Sequence, residues 1–290
     1  MYRCSIAILV LTFLLLFVGA EVTSTNSGMV FRTWPDANGE YLWPNNPTLS
    51  GILEHSHRLL GALVGLGAIL LIIYVYRRDQ RRLMRKLSIA LLAGVVIQGM
   101  LGGARVRLDE EFPVLFPFLH GALAHLVFSL MGFVAFAGSL AWVPRAVENA
   151  SHVRTARRLA VFAWITVFIQ ILLGVATRHS DSSAAKWSHI CFALLASLSV
   201  LVAAAYSMGK FRSIPGFNRT NRTTLALLVA QIVLGFVALV VRRPKALSDT
   251  NLMGKASIVS LHVVIGSGLL LMLTIFVARS YRNLVPRASQ

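Results

Sequence analysis

Residues 55–82 read HSHRLLGALVGLGAILLIIYVYRRDQRR. Between Leu59 and Tyr76 there is no charged side chain, and the run then breaks into Arg77, Arg78, Asp79, Arg81 and Arg82. A continuous apolar stretch of this length matches the hydrocarbon thickness of a bilayer. Its backbone groups have no water to pair with there, so it is predicted as a helix. The basic cluster at its end is what a span leaves among anionic headgroups on the cytoplasmic side. Outward from this stretch the same pattern recurs. Apolar runs fall at 4–22, 55–76, 87–104, 118–141, 159–176, 188–208, 223–241 and 257–279, each bounded by charge or by Pro and Gly. The longest connection between them, 23–54, is too short for a soluble domain.

Composition agrees with this pattern. The chain is 56% hydrophobic and 13% charged, whereas soluble domains carry about 25% charged residues. The reading is therefore an all-α, polytopic membrane protein of eight transmembrane helices. A net charge of +17 invites a nucleic-acid reading, but the positions of the charges argue against it. With the N-terminus inside, the cytoplasmic side holds Arg3, six basic residues in 77–86, four in 143–158, four in 209–222 and three from 279 onward. These are eighteen of the 28 Lys+Arg, which fits a lipid partner and the positive-inside rule with both termini cytoplasmic. No nucleic-acid partner is expected, because no folded domain presents the charge. Arg3, the apolar run and Val18-Gly19-Ala20 ahead of Glu21 also resemble a signal peptide. A retained first helix is the reading adopted, since eight helices divide the chain into equal halves. Cys4 and Cys191 both lie in apolar runs and imply neither a disulfide nor a thiolate metal site.

The chain repeats itself weakly. Gln98-x-x-Leu101-Gly102, Gln170-x-x-Leu173-Gly174 and Gln231-x-x-Leu234-Gly235 place an amide and a glycine on one face of three odd-numbered helices. Packing through small residues with an interhelical amide bond accounts for the glycines. The recurrence suggests a duplication into two pseudo-symmetric four-helix bundles. The divisions expected are 1–145, a cytoplasmic linker at 146–158, and 159–290.

Ionisable side chains in membrane spans are costly and point to function. Of eight histidines, four share one address: His57, His120, His189 and His262 each open an even-numbered helix, two in each half. With the N-terminus inside, all four lie near the outer leaflet. Each has a small residue four positions on, Gly61, Ala124, Ala193 and Gly266, on the same helix face. That is the clearance an edge-on macrocycle needs, and paired imidazoles on facing helices are the ligand set of a six-coordinate haem iron. Iron bound by His57, His120, His189 and His262 is the expectation. Zinc is disfavoured, because no His/Cys/carboxylate cluster offers closed four-coordination. His152 reads as linker and His179 as outer loop, while His55 and His125 are left open as neighbours of the ligands. Glu54 lies one turn before His57, where an acid serves as a helix cap or acts on whatever His57 binds. The matching place before His189 is Lys186, so the halves are expected to be inequivalent, with chemistry in the first and electron storage in the second.

Glu54-His55-Ser56-His57-Arg58, the segment Val22-Thr23-Ser24-Thr25-Asn26-Ser27-Gly28 with Trp34-Pro35, the Gln-x-x-Leu-Gly helices and the four histidines together resemble the haem A synthase family. The resemblance runs over essentially the whole chain and is most specific in the first half. It implies oxidation of the C8 methyl of haem O to the formyl of haem A for terminal oxidase assembly. It also implies His57 and His120 as ligands of the substrate haem O, Glu54 acting beside the reacting methyl, and His189 and His262 holding a permanent haem b. A haem O synthase and an electron donor are the implied partners, the cell (inner) membrane the implied location, and a homo-oligomer is compatible with it. The chain departs from the family in lacking a cysteine pair in 23–54, so no redox role is expected for that loop. The alternative is a dihaem b-type cytochrome carrying electrons from a quinol to a partner, which the four histidines fit equally well.

Overall fold

The computed structural model describes residues 2–142, 146–180, 182–214, 216–241 and 252–286. Eight helices account for most of them: α1 (Tyr2–Ser24), α2 (Leu49–Arg78), α3 (Arg82–Arg107), α4 (Leu115–Ala137), α5 (Ala150–His179), α6 (Ser183–Lys210), α7 (Phe217–Val241) and α8 (Leu252–Arg282). All eight are long and apolar enough to cross a bilayer, and the chain is a multi-pass membrane protein. Leu63, Leu70, Ile97, Leu194, Val229 and Val240 are exposed on the outer helices. In water such a surface would drive aggregation; here it is the face that lipid covers.

Every helix except α4 and α7 runs beyond the predicted apolar span at both ends. Local chemistry at the termini explains this. Thr48 caps α2 by accepting from the Gly51 amide at 3.2 Å, Asn149 caps α5 through Ser151 at 2.9 Å, and Ser182 caps α6 through Ala185 at 3.2 Å. Hydropathy alone cannot see these polar end turns. As a result the four histidines do not open their helices but lie one to three turns inside them, and the segment read as linker is mostly the start of α5. His152 is therefore helical. At the other extreme, α4 stops at Ala137, and residues 140–142 form a short 3-10 turn where the sequence suggested a continuing span.

Within 2–137, α1 packs on α2 and α4, and α3 on α2 and α4; within 150–282, α5 packs on α6 and α8, and α7 on α6 and α8. The two rings meet through α4 and α8, flanked by α1 against α8 and α4 against α5. Two polar contacts fasten α4 to α8: His125 Nδ1 to Ser267 Oγ and Ser129 Oγ to Thr274 Oγ1, both at 2.6 Å. His125 thus belongs to the seam between the rings. At the end of the bundle that carries the start of α5 and the end of α8, β1 (Ala146–Glu148) pairs in parallel with β2 (Leu284–Pro286). Arg81 donates to the Ala137 carbonyl at 2.9 Å, and Arg157 to those of Ser280 and Leu284 at 3.0 and 3.1 Å. Guanidinium groups thus serve end carbonyls of α4 and α8, which have no helical partner, and one in β2.

Candidate functional site

The four histidines come together in two pairs. His57 of α2 faces His120 of α4 with ring centres 6.3 Å apart and planes at 79°. His189 of α6 faces His262 of α8 at 6.3 Å and 89°. That separation is close to what two metal–nitrogen bonds of about 2 Å and the half-widths of two imidazoles add up to. In each ring the pair sits on opposite even-numbered helices, so the odd-numbered helices form the walls between them.

Those walls are what seat the imidazoles. A Cβ built at Gly19, Gly102, Gly174 or Gly235 would have as its nearest neighbour Cε1 of His57, His120, His189 or His262, at 2.6, 3.4, 2.9 and 3.1 Å. Each ring thus lies against a glycine of the preceding odd helix; a methyl at Gly19 or Gly174 would displace it, one at Gly235 would crowd it, and one at Gly102 would meet it at ordinary contact distance. One helical turn earlier stands a carbonyl that meets the ring. His120 Nδ1 donates to the Gln98 carbonyl at 3.2 Å, and His189 Nδ1 to the Gln170 carbonyl at 3.1 Å. A protonated Nδ1 leaves Nε2 as the nitrogen with a free lone pair, the tautomer a metal ligand needs. At His57 and His262 the carbonyls of Leu15 and Gln231 face the ring, but Nδ1 closes no hydrogen bond with them.

The glutamine side chains add a second hold. Gln98 Nε2 donates to the His120 carbonyl at 2.8 Å, and Gln170 Nε2 to the His189 carbonyl at 2.9 Å. Gln231 turns its amide to the His262 ring, 3.3 Å from Nε2. The repeated Gln-x-x-Leu-Gly motif, read from sequence as helix packing, is therefore the seat of a histidine. The missing signal was its spacing to the next even helix, which only the fold supplies. Two of the small residues after the histidines also meet the preceding odd helices. The space at Gly61 is bordered by Leu15 at 4.0 Å, and that at Gly266 is taken by the Gln231 amide at 3.0 Å. Gly266 thus admits the seating helix, while the space at Gly61 stays open beside Leu15.

Around the first pair the loop between α1 and α2 is fastened by the residues flanking His57. Glu54, 3% exposed, accepts from the amides of Val30 and Phe31 at 2.7 and 3.2 Å and pairs with Arg58 at 2.5 Å. Arg58 in turn donates to the carbonyls of Phe31, Thr33 and Asp36. His55, 1% exposed, hydrogen-bonds the Leu42 carbonyl through Nε2 at 2.9 Å, between the edges of Phe31 and Trp43. Trp34, which precedes a cis proline, lies over α3 at Gly103. Glu54, His55 and Arg58 thus hold the 25–48 loop as a roof beside His57, a role the sequence did not reveal for Arg58. His179, expected in an outer loop, ends α5 next to Gly121, the neighbour of His120.

Residues 2–187 match the COX15-CtaA profile, described as cytochrome oxidase assembly protein. The chain is 27% identical over 250 residues to a heme A synthase of Staphylococcus carnosus, covering 76% of this chain and 78% of that one. It is 36% identical over 104 residues to a heme A synthase of Alkalihalophilus pseudofirmus, covering 35% of each chain. With a heme A synthase of Geobacillus kaustophilus it shares 34% over 132 residues, 43% of this chain and 38% of the other. The matches thus span about a third of the last two relatives and most of the first.

Proposed function

The chain belongs to the COX15-CtaA family of cytochrome oxidase assembly proteins, and we propose that it is a haem A synthase, oxidising the C8 methyl of haem O to the formyl of haem A. The observation that carries this reading is the duplicated imidazole pair: His57 with His120 and His189 with His262, each 6.3 Å apart. The donor set suits haem iron, because at His120 and His189 Nδ1 is tied to a carbonyl and Nε2 stays available. In this reading the two rings are duplicated halves with different tasks. His57 and His120 hold the substrate, haem O, within 1–145. His189 and His262 hold haem b within 159–290, where it supplies one-electron storage.

The protein's own contribution to the chemistry is positional. The glycine seats fix the imidazoles, the carbonyls of Gln98 and Gln170 set the tautomer of His120 and His189, and the roof anchored by Glu54, Arg58 and His55 limits water beside His57. Of the two buried carboxylates described in this half, Glu21 and Glu54, Glu54 lies one turn before His57, and we assign it the stabilisation of charge developing at the substituent being oxidised. Its bonds to Val30, Phe31 and Arg58 support a second task, holding the roof shut. A haem O synthase would supply the substrate and a separate electron donor the reducing equivalents.

The test is pigment extraction and chromatography from cells that supply haem O. Haem A accumulates with the intact chain. Haem O left unchanged would favour the electron-carrier reading, which two equally spaced histidine pairs also fit. We further place the protein in the cell membrane with both termini cytoplasmic, on the strength of the basic residues at 77–86 and 209–222. Reporters fused after Arg82 then read cytoplasmic and reporters within 105–116 external; the opposite pattern would move the histidine pairs to the inner side.

A further inference from the structure

Three of the four seats carry a glutamine four residues before the glycine: Gln98 before Gly102, Gln170 before Gly174 and Gln231 before Gly235. The fourth, on α1, carries Leu15 before Gly19. Leu15 occupies the same station, since its carbonyl faces the His57 ring and its side chain borders Gly61 at 4.0 Å. It has no amide to give. His120 is held by a ring-to-carbonyl bond of 3.2 Å and an amide-to-backbone bond of 2.8 Å, and His189 by the equivalent pair at 3.1 and 2.9 Å. His57 has no amide bond to its backbone, and its Nδ1 stands outside hydrogen-bond geometry with the Leu15 carbonyl that faces it, so the ring is seated by the Gly19 contact and that carbonyl's approach.

The consequence is mechanical. An axial ligand leaves a metal when its ring swings away, and each hydrogen bond that fixes ring or backbone raises the cost of that swing. A resident cofactor has no need to lose a ligand, and His262, whose Nδ1 also closes no bond with its carbonyl, still has the Gln231 amide 3.3 Å from its ring. A site that takes in one haem and gives out another requires one side to let go. From this we propose that His57 is the releasing ligand of the first half, detaching when substrate enters and product leaves, while His120, held by Gln98, keeps its grip. Leu15 and Gln98 are then positioning residues that set the direction of exchange. This rests on the reading of the first half as the substrate site.

The experiment measures haem transfer from the purified full-length protein, loaded with haem O, to excess apomyoglobin, followed by absorbance. Leu15→Gln should slow release about fivefold to tenfold, the scale of one added hydrogen bond. Gly61 leaves room for the amide, having no neighbour but Leu15 within 4 Å. Leu15→Met, with similar bulk and no amide, should leave the rate unchanged. Gln98→Leu should speed release by a similar factor, and the low-spin signature of the second half should be untouched in all three. Unchanged release in Leu15→Gln overturns the proposal, as does a Met variant that slows it equally. If Leu15→Gln does not accumulate, Gln98→Leu decides: release no faster than in the parent overturns it. Chromatography of the same preparations separates the two readings. Slowed release without any haem A formation sinks the enzyme reading and keeps this one, while haem A formation with unaltered release does the reverse.

Discussion

The two halves seat their imidazoles alike and cover them differently. In both, a facing histidine pair lies 6.3 Å apart on even helices, each ring against a glycine of the helix before it. But α1 and α2 are joined by 25–48, whereas α5 gives way to α6 within 180–182. The long connection is anchored from below by Glu54, which is buried and bonded to two loop amides and Arg58. At the corresponding place in the second half, Lys186 is exposed and lies over the Trp187 ring at 5.5 Å. What the two halves share is the geometry of the histidine pair. What differs is the roof and its anchor, which in the proposed reading belong to the half that handles the reacting group.

The strongest way to break this comparison is to remove one pair at a time. His189→Ala or His262→Ala should abolish the low-spin haem b spectrum of the purified protein, and His57→Ala should leave it in place. A spectrum that survives loss of His189 would mean that the permanent haem resides elsewhere. Glu54→Ala sharpens the same contrast. Cutting one partner from a buried, hydrogen-bonded ion pair costs about 3 kcal/mol or more, and the loss falls on the roof. Haem A formation should stop while haem b stays bound in the second half, and limited proteolysis should open 25–48. Glu54→Gln keeps length and one accepting oxygen, so it separates the two tasks: a closed roof with no haem A assigns the charge to chemistry. Haem A at parental levels from Glu54→Ala would reduce this residue to structure.

A finer probe grades the glycine seats. A methyl at Gly19 would meet His57 Cε1 at 2.6 Å, at Gly174 His189 at 2.9 Å, at Gly235 His262 at 3.1 Å, and at Gly102 His120 at 3.4 Å. Overpacking of this kind costs about 1–3 kcal/mol. Glycine-to-alanine changes should therefore perturb the low-spin spectra in that order, with Gly102→Ala nearly silent. A flat series would show that the rings can move off their seats at no cost.

Much of this was legible in the chain alone. Hydropathy with charge punctuation set the eight spans, because a segment either survives in hydrocarbon or does not, and that property belongs to the segment itself. The same logic singled out His57, His120, His189 and His262 and the acid at Glu54, since ionisable groups in such segments need a reason to be there. The chain could not tell which faces of the helices meet. In a soluble helix the apolar stripe marks the buried side, but in lipid both sides are apolar and the contrast vanishes. That is why Gln98, Gln170 and Gln231 passed for packing residues, why His125 could not be assigned to its contact with Ser267, and why Glu54 gave no sign of Val30 and Phe31. Those partners lie far along the chain or on another helix. Each is fixed by the lateral docking of helices, which only the tertiary structure decides.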